Sequence, residues 1–237
     1  MSGPVRRPHV VTKAYLRAWA DDRGTVDVLD LKRRHVIPLS INNATVVGGA
    51  YDPLVLSHDL EGEYASIENR GMPAIAKLRR GIELTPGEMT AVIAFLDMHL
   101  DRGRYAAQAG TVIPATLLKT DGSIENADFS VADRLRLSRS LPEVLRLASL
   151  GLDRWEWRVE PKLDGLITGD GAVLLFHEAE RVGLRTIAFP LSPTQLLVIG
   201  EPIQPDTPIN RHIVEASRRW IISLRGTLKM RVVPTTH

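Results

Sequence analysis

The 237-residue sequence contains no cysteine. That excludes disulfides, thiolate metal sites and a cysteine nucleophile, and it suits a reducing compartment. No apolar run approaches the length needed to cross a membrane. The opening "MSGPVRRPHVV" is basic but is not followed by the apolar stretch of a secretory signal, so a cytoplasmic location without membrane contact is expected. No internal repeat or low-complexity tract is present. The formal net charge is only +2, which rules out a strong overall field for nucleic acid or membrane. What is there is an ordinary globular composition, 44% apolar and 24% charged, in a chain long enough to bury a substantial core. The positive excess is local. Arg211, Arg218, Arg219, Arg225, Lys229 and Arg231 crowd the C-terminal region against Glu215 alone, and "KRRH" spans Lys32 to His35. A basic face of this kind is either a solvated helix surface or a nucleic-acid footprint.

Periodicity gives the order of elements. "TKAYLRAWA" has helical spacing at Tyr15, Leu16 and Trp19. Val26 and Val28 alternate with Asp27 and Asp30, and "HVIPLS" follows "KRR", which predicts an N-terminal hairpin. Two central helices come next. The first places Tyr64, Ile67, Gly71, Ile75 and Leu78 on one face, is expected to kink at Pro73 and ends at Gly81. The second opens on the capping box Thr85–Glu88 with Pro86 in its first turn and carries Met89, Val92, Ile93, Leu96 and Leu100. After a loop containing "TDGS", helix starts are expected at Ser130–Asp133 and Ser140–Glu143, as two short helices or one broken at Pro142. From Trp155 the pattern turns to short strands between Gly, Asp and Pro. A last helix is predicted from Thr207-Pro208 to near Gly226, with Ile209, Ile213, Ala216, Trp220 and Leu224 inward, and "KMRVVP" reads as a closing strand. The expected class is α+β: an N-terminal hairpin, central helices, a C-terminal antiparallel or mixed sheet and a final helix. Residues 1–237 are expected to share one core, with any sub-boundary near Gly151.

"EPKLDG" looks like the lysine adenylation motif of NAD-dependent DNA ligases, with Glu160, Lys162, Asp164 and Gly165 in the matching places. Nucleotidyl transfer needs further cations and metal-binding carboxylates on neighbouring strands, and the strands after Lys162 carry no lysine or carboxylate. The simpler reading is a hairpin turn between "WEWRVE" and "LITG". Glu160-Pro-Lys162 also has the Glu-Xaa-Lys spacing of restriction-type nucleases, with Asp153 as the nearby companion, but a proline disfavours a central strand there.

A wider resemblance covers most of the chain. "HVVTKAYLRAWA" is similar to the opening signature of the bacterial domain of unknown function 4238 family, matching at His9, Val11, Tyr15, Leu16 and Arg17, with Thr12 in place of proline and Trp19 in place of phenylalanine. "SIEN" resembles its glutamate-bearing helix at Glu68. "MHLDRGR" resembles its Gln-Xaa-Xaa-Arg helix, with His99 at the glutamine and Arg102 matching. "LITGDGAV" resembles a later motif at Asp170, and "FPLSP" matches as it stands. The resemblance implies a shared fold and supplies no reaction.

These landmarks supply the candidate residues. His9 has the chemistry of a general base or metal ligand, or of a capping residue for the first helix. Arg102 is a cation at the rim of a core face, able to hold an anion or to pair with Glu68. Asp170 fits either a metal or substrate contact or an Asx turn between its two glycines. The expectation is a hydrolase-like enzyme acting on a phosphodiester or another nucleic-acid-linked bond, with His9, Glu68, Arg102 and Asp170 converging as catalytic residues, a divalent metal as candidate cofactor, and Tyr15, Arg17 and His99 contacting substrate. The alternatives are a binding module using the basic C-terminal helix or the Trp155–Trp157 face, and nucleotidyl transfer through Lys162. "HDLEGE", with His58, Asp59, Glu61 and Glu63, reads as a helix start rather than a metal cluster. Asp97 and Asp101 read as solvated. Oligomeric state is not legible.

Overall fold

The computed structural model of the protein describes residues 8–48, 50, 52–56, 59–177 and 183–228. The class is α+β. A one-turn helix α1 (Lys13–Leu16) leads into the predicted hairpin, β1 (Thr25–Asp30) with β2 (His35–Ser40), paired from Thr25↔Ser40 to Asp30↔His35. Helix α2 (Leu60–Arg79) begins at Asp59, whose side chain accepts from the Gly62 N–H, and runs through Pro73 as one element. Gly81, in the left-handed region at φ 69°, follows its end. Helix α3 (Pro86–Arg104) starts on the complete Thr85–Glu88 capping box. The two helices pack so closely that a Cβ on Gly71 would stand 2.9 Å from the Phe95 Cβ.

The segment expected to be a loop is a separate two-stranded sheet, β3 (Ile113–Leu118) with β4 (Ile124–Phe129), turning at "TDGS". Helix α4 (Val131–Arg139) opens on the Ser130–Asp133 capping box. The second expected helix start at Ser140 forms no α-helix; short 3₁₀ turns at Leu147–Ser149 and Leu152–Arg154 follow instead.

The C-terminal half builds β5 (Trp157–Pro161), β6 (Thr168–Gly169), β7 (Leu174–His177), β8 (Leu184–Ser192), β9 (Gln195–Gly200), helix α5 (Ile209–Ala216) and β10 (Trp220–Leu224). They form two antiparallel sheets, β2-β1-β10-β6 and β5-β9-β8-β7. The strands flanking "PKLDG" are thus not a hairpin: β5 is an edge strand on β9, and β6 pairs β10 in the other sheet. The predicted last helix also stops early. Its apolar spacing continues to Leu224, but the chain leaves the helix after Ala216 and Trp220–Leu224 enter the middle of the first sheet. "KMRVVP" begins at residue 229 and lies outside the described residues.

Strands β8 and β9 are apolar on both faces because both faces are covered. Ile187, Phe189, Leu191, Leu197 and Ile199 join a large core reaching from Val10 to Ile222, around Tyr15, Trp19, Phe95 and Leu96. Ala188, Leu196 and Val198 face the other way, onto Ile209 and Ile213 of α5. A strand buried on both sides reads as a continuous apolar run, as "TIAFPL" and "LLVIG" do.

Candidate functional site

The N-terminal segment is held by backbone pairing. Val10 N–H donates to the Thr45 carbonyl at 3.0 Å, Val47 N–H donates to the Pro8 carbonyl, and the Thr45 hydroxyl bonds both backbone groups of Val11. This fixes His9 next to Ala44, and its Nδ1 donates to the Ala44 carbonyl at 2.9 Å. A ring nitrogen facing a carbonyl carries the proton, so in neutral His9 the lone pair lies on Nε2. Burial pulls the His9 pKa below its ordinary value, with the Ala44 bond and Glu68 acting in the opposite sense and Lys13 and Arg102 adding to the depression.

Three residues along, buried Thr12 meets the middle of α2 and the last turn of α3. Its hydroxyl donates to Glu68 Oε1 of α2 at 3.0 Å, and Arg102 of α3 donates from one guanidinium nitrogen to both Thr12 Oγ1 and Glu68 Oε1. Arg102 is only 5% exposed and stacks over the Tyr64 ring at 4.6 Å, while the Glu68 side chain is 27% exposed. Tyr64 is flanked by a second cation, Arg139, 5.0 Å from its ring. Arg139 in turn bonds Asp101 and Glu63, and Arg146 also bonds Asp101. Asp101 is therefore a buried, doubly paired carboxylate and not the solvated one its helix position suggested. Asp97 is likewise engaged, accepting from the Leu147 and Ala148 N–H groups. Thr12, Tyr64 and Asp101 are the members of this corner that the sequence did not single out. The only available signal was Thr12, as the departure from a proline.

Asp170 abuts the same end of α3 through its backbone, a Cβ on Gly103 standing 2.0 Å from its carbonyl oxygen, but its carboxylate is spent on other backbone groups. Its two oxygens accept from the N–H groups of Arg218 (2.7 Å), Arg219 (3.2 Å) and Trp220 (2.6 Å). Burial raises its pKa, and those same donors counter the rise. The flanking glycines allow the approach: a Cβ on Gly169 would stand 2.3 Å from the Trp220 carbonyl oxygen, and one on Gly171 2.3 Å from the Ser217 nitrogen. The expected convergence of four catalytic side chains is thus reduced to His9, Glu68 and Arg102, because the Asp170 carboxylate is consumed as a clamp on the α5–β10 corner.

The substrate-contact candidates also separate. The fully buried Tyr15 hydroxyl donates to the Pro190 carbonyl at 2.6 Å and contacts Thr168 Oγ1, and burial raises its pKa strongly. His99 is buried among Tyr15, Phe95 and Phe189, with Nε2 on the Gly169 carbonyl at 2.9 Å. Burial depresses its pKa to about 4, and its Nδ1 meets no hydrogen-bond partner among the described residues. Both are core fasteners. Arg17 is exposed.

The remaining candidates are occupied locally. Lys162 pairs with Glu160 at 3.0 Å, and Leu163, 99% exposed, is the tip of the turn. In the C-terminal region Arg211 pairs with Glu215, Arg219 stacks on Trp220 and Arg225 reaches Asp21; Lys229 and Arg231 lie outside the described residues, as does His58. Among the described residues no three His, Asp or Glu side chains assemble as metal ligands, and no helix is long and apolar enough to cross a membrane.

The family described as Protein of unknown function (DUF4238) matches residues 7–128. The chain belongs to that family. The match takes in His9, Thr12, Glu68, His99 and Arg102 and stops short of Asp170. No curated protein and no solved structure matches the chain.

Proposed function

We propose that the protein is a hydrolase-like enzyme acting on a phosphodiester or another nucleic-acid-linked bond, with its site at the His9, Glu68 and Arg102 corner. The observation that supports this is the state of His9. Its tautomer is set by the Ala44 carbonyl, its pKa is lowered so that it is neutral at neutral pH, and it stands in the field of an Arg–carboxylate pair. In this reading Nε2 takes the proton of an attacking water, as a positioned general base does, the water oxygen bonds phosphorus as the P–O bond to the leaving alcohol breaks, and the leaving alkoxide is protonated from solvent. Glu68 helps to orient that water, and Arg102, held by Thr12, opposes the negative charge that develops on the phosphoryl oxygens. Nucleic acid enters as substrate rather than as a ligand of the C-terminal cations, of which Arg211, Arg219 and Arg225 have local partners.

The test uses bis(p-nitrophenyl) phosphate and labelled RNA and DNA oligonucleotides, each with Mg²⁺, with Mn²⁺ and with EDTA. Wild type is expected to turn over at least one substrate, and His9→Ala to lose about 100-fold or more in kcat, the usual range for a general base, with the fold retained by circular dichroism. The acid limb of kcat/KM is expected below the ordinary histidine range, since His9 stays neutral to lower pH. Absence of turnover under all three conditions, or a His9→Ala rate equal to wild type, overturns the reading.

A further inference from the structure

A second feature lies apart from the His9 corner, at the start of β5. Trp155, one residue of the aromatic pair flagged in the sequence, does not share a site with Trp157. The Trp157 indole donates to the Leu152 carbonyl, whereas Trp155 lines an open pocket of about 490 Å³ with Glu156, Leu184, Arg185, Glu201 and Pro202. The platform is built from the backbone up. Gly200 lies against the indole with φ at 103°, and a Cβ there would stand 2.8 Å from the Trp155 ring and 2.1 Å from the Arg185 carbonyl oxygen. Any larger residue would therefore displace the ring. Gly200 N–H donates to the Glu156 carbonyl at 2.8 Å, and Arg158 bridges the Gly200 carbonyl and the Glu156 carboxylate. On the opposite wall Glu201 N–H donates to the Arg185 carbonyl, the Thr186 hydroxyl donates to the Glu201 carbonyl, and the Glu201 carboxylate pairs with Arg185.

We propose that this pocket binds a carbohydrate ring, with a pyranose face laid on Trp155. The chemistry narrows the class. Each rim carboxylate is paired with an arginine, Glu156 with Arg158 and Glu201 with Arg185, so the rim carries little net charge to hold either a phosphate-bearing ligand or a cation. What remains is a flat aromatic surface bordered by alternating acceptors and donors: the Glu156 and Glu201 oxygens, and the Arg185 guanidinium. A neighbouring pair of sugar hydroxyls, each both donor and acceptor, fits such a border, while the C–H face of the ring covers the indole. The open shape suits one or two sugar units at the surface.

The experiment is saturation-transfer NMR with parallel tryptophan fluorescence, titrating the full chain with methyl α- and β-glucopyranoside, methyl galactopyranoside, N-acetylglucosamine, maltose and cellobiose. Adenosine and arginine amide serve as rival probes. At least one sugar is expected to bind saturably, with a dissociation constant of about 1 mM, as fits a small open site. Trp155→Ala is expected to weaken that binding about tenfold or more, the order expected for a lost aromatic contact together with its area. Glu201→Gln, at an exposed position that does not threaten folding, is expected to weaken it about threefold through one altered hydrogen bond. The proposal is overturned if no sugar saturates, if adenosine or arginine amide binds in place of the sugars, or if Glu201→Gln and a folded Trp155→Ala both bind as wild type does.

Discussion

Two polar corners lie beside the C-terminal end of α3, and they are built differently. At the first, Arg102, Glu68 and Thr12 satisfy one another through side chains, and the partly exposed Glu68 and His9 open the cluster to solvent. At the second, Asp170 is sealed and answers only to backbone N–H groups. Asp133 is close to the second pattern, taking the N–H groups of Leu54, Val55 and Leu56 besides the Ser130 hydroxyl of its capping box, and Asp97 accepts from the N–H groups of Leu147 and Ala148. The difference teaches that a charged residue in a loop-rich fold is often there to give irregular backbone its hydrogen bonds. A reactive corner is marked instead by a titratable group that keeps a lone pair and a route to solvent.

The contrast can be broken by mutation. Asp170→Ala leaves three N–H donors without their acceptor, the one on Trp220 buried, and should cost the most, about 4 kcal/mol in urea denaturation, since each lost charge-assisted bond is worth roughly 1.5–3 kcal/mol and water recovers the more exposed ones in part. A next effect comes from pH. Unfolded His99 binds a proton below about 6.5, whereas folded His99 stays neutral until about 4. Its contribution is therefore complete above pH 6.5 and is lost as pH falls from there towards 4, by about 3 kcal/mol in all. His99→Leu should flatten that part of the stability–pH curve. Arg102→Ala should cost about 2 kcal/mol by the same denaturation, because Glu68 can rehydrate while the contact with Tyr64 is lost. Lys162→Ala should have the smallest effect, about 1 kcal/mol or less, as its pair with Glu160 is a single partly exposed ion pair, and no nucleotide should become attached to the chain by mass spectrometry. An Asp170→Ala protein as stable as wild type would erase the distinction between the corners.

Local signals were legible where the physics is local. The capping boxes at Thr85–Glu88 and Ser130–Asp133, the β1–β2 hairpin and the stop at Gly81 each depend on residues within a few positions of one another. The β3–β4 hairpin was hidden because Ile113, Leu118 and Ile124 are exposed, so neither face has the alternation that betrays a half-buried strand. The pairings Arg102–Glu68 and Arg139–Asp101 were only partly visible, since a helix pattern shows which face a residue shares and not which remote cation completes it. Asp97 and Asp101 looked solvated for the same reason: the segment that covers them, Arg139 to Ala148, has no regular pattern of its own.

The Asp170 clamp also bears on the order in which the chain acquires its shape. The apolar spacing from Ile209 to Leu224 is that of one continuous helix, and the local stop at Ala216 is slight: Ser217 gives its hydroxyl and N–H to the Ile213 carbonyl. The turn beyond it is held by a carboxylate 48 residues earlier than Arg218. A fragment that begins after Gly171 therefore has no instruction to turn Trp220–Leu224 into a strand. Those five residues are a conformational decision postponed until the first sheet is ready to receive them between β1 and β6.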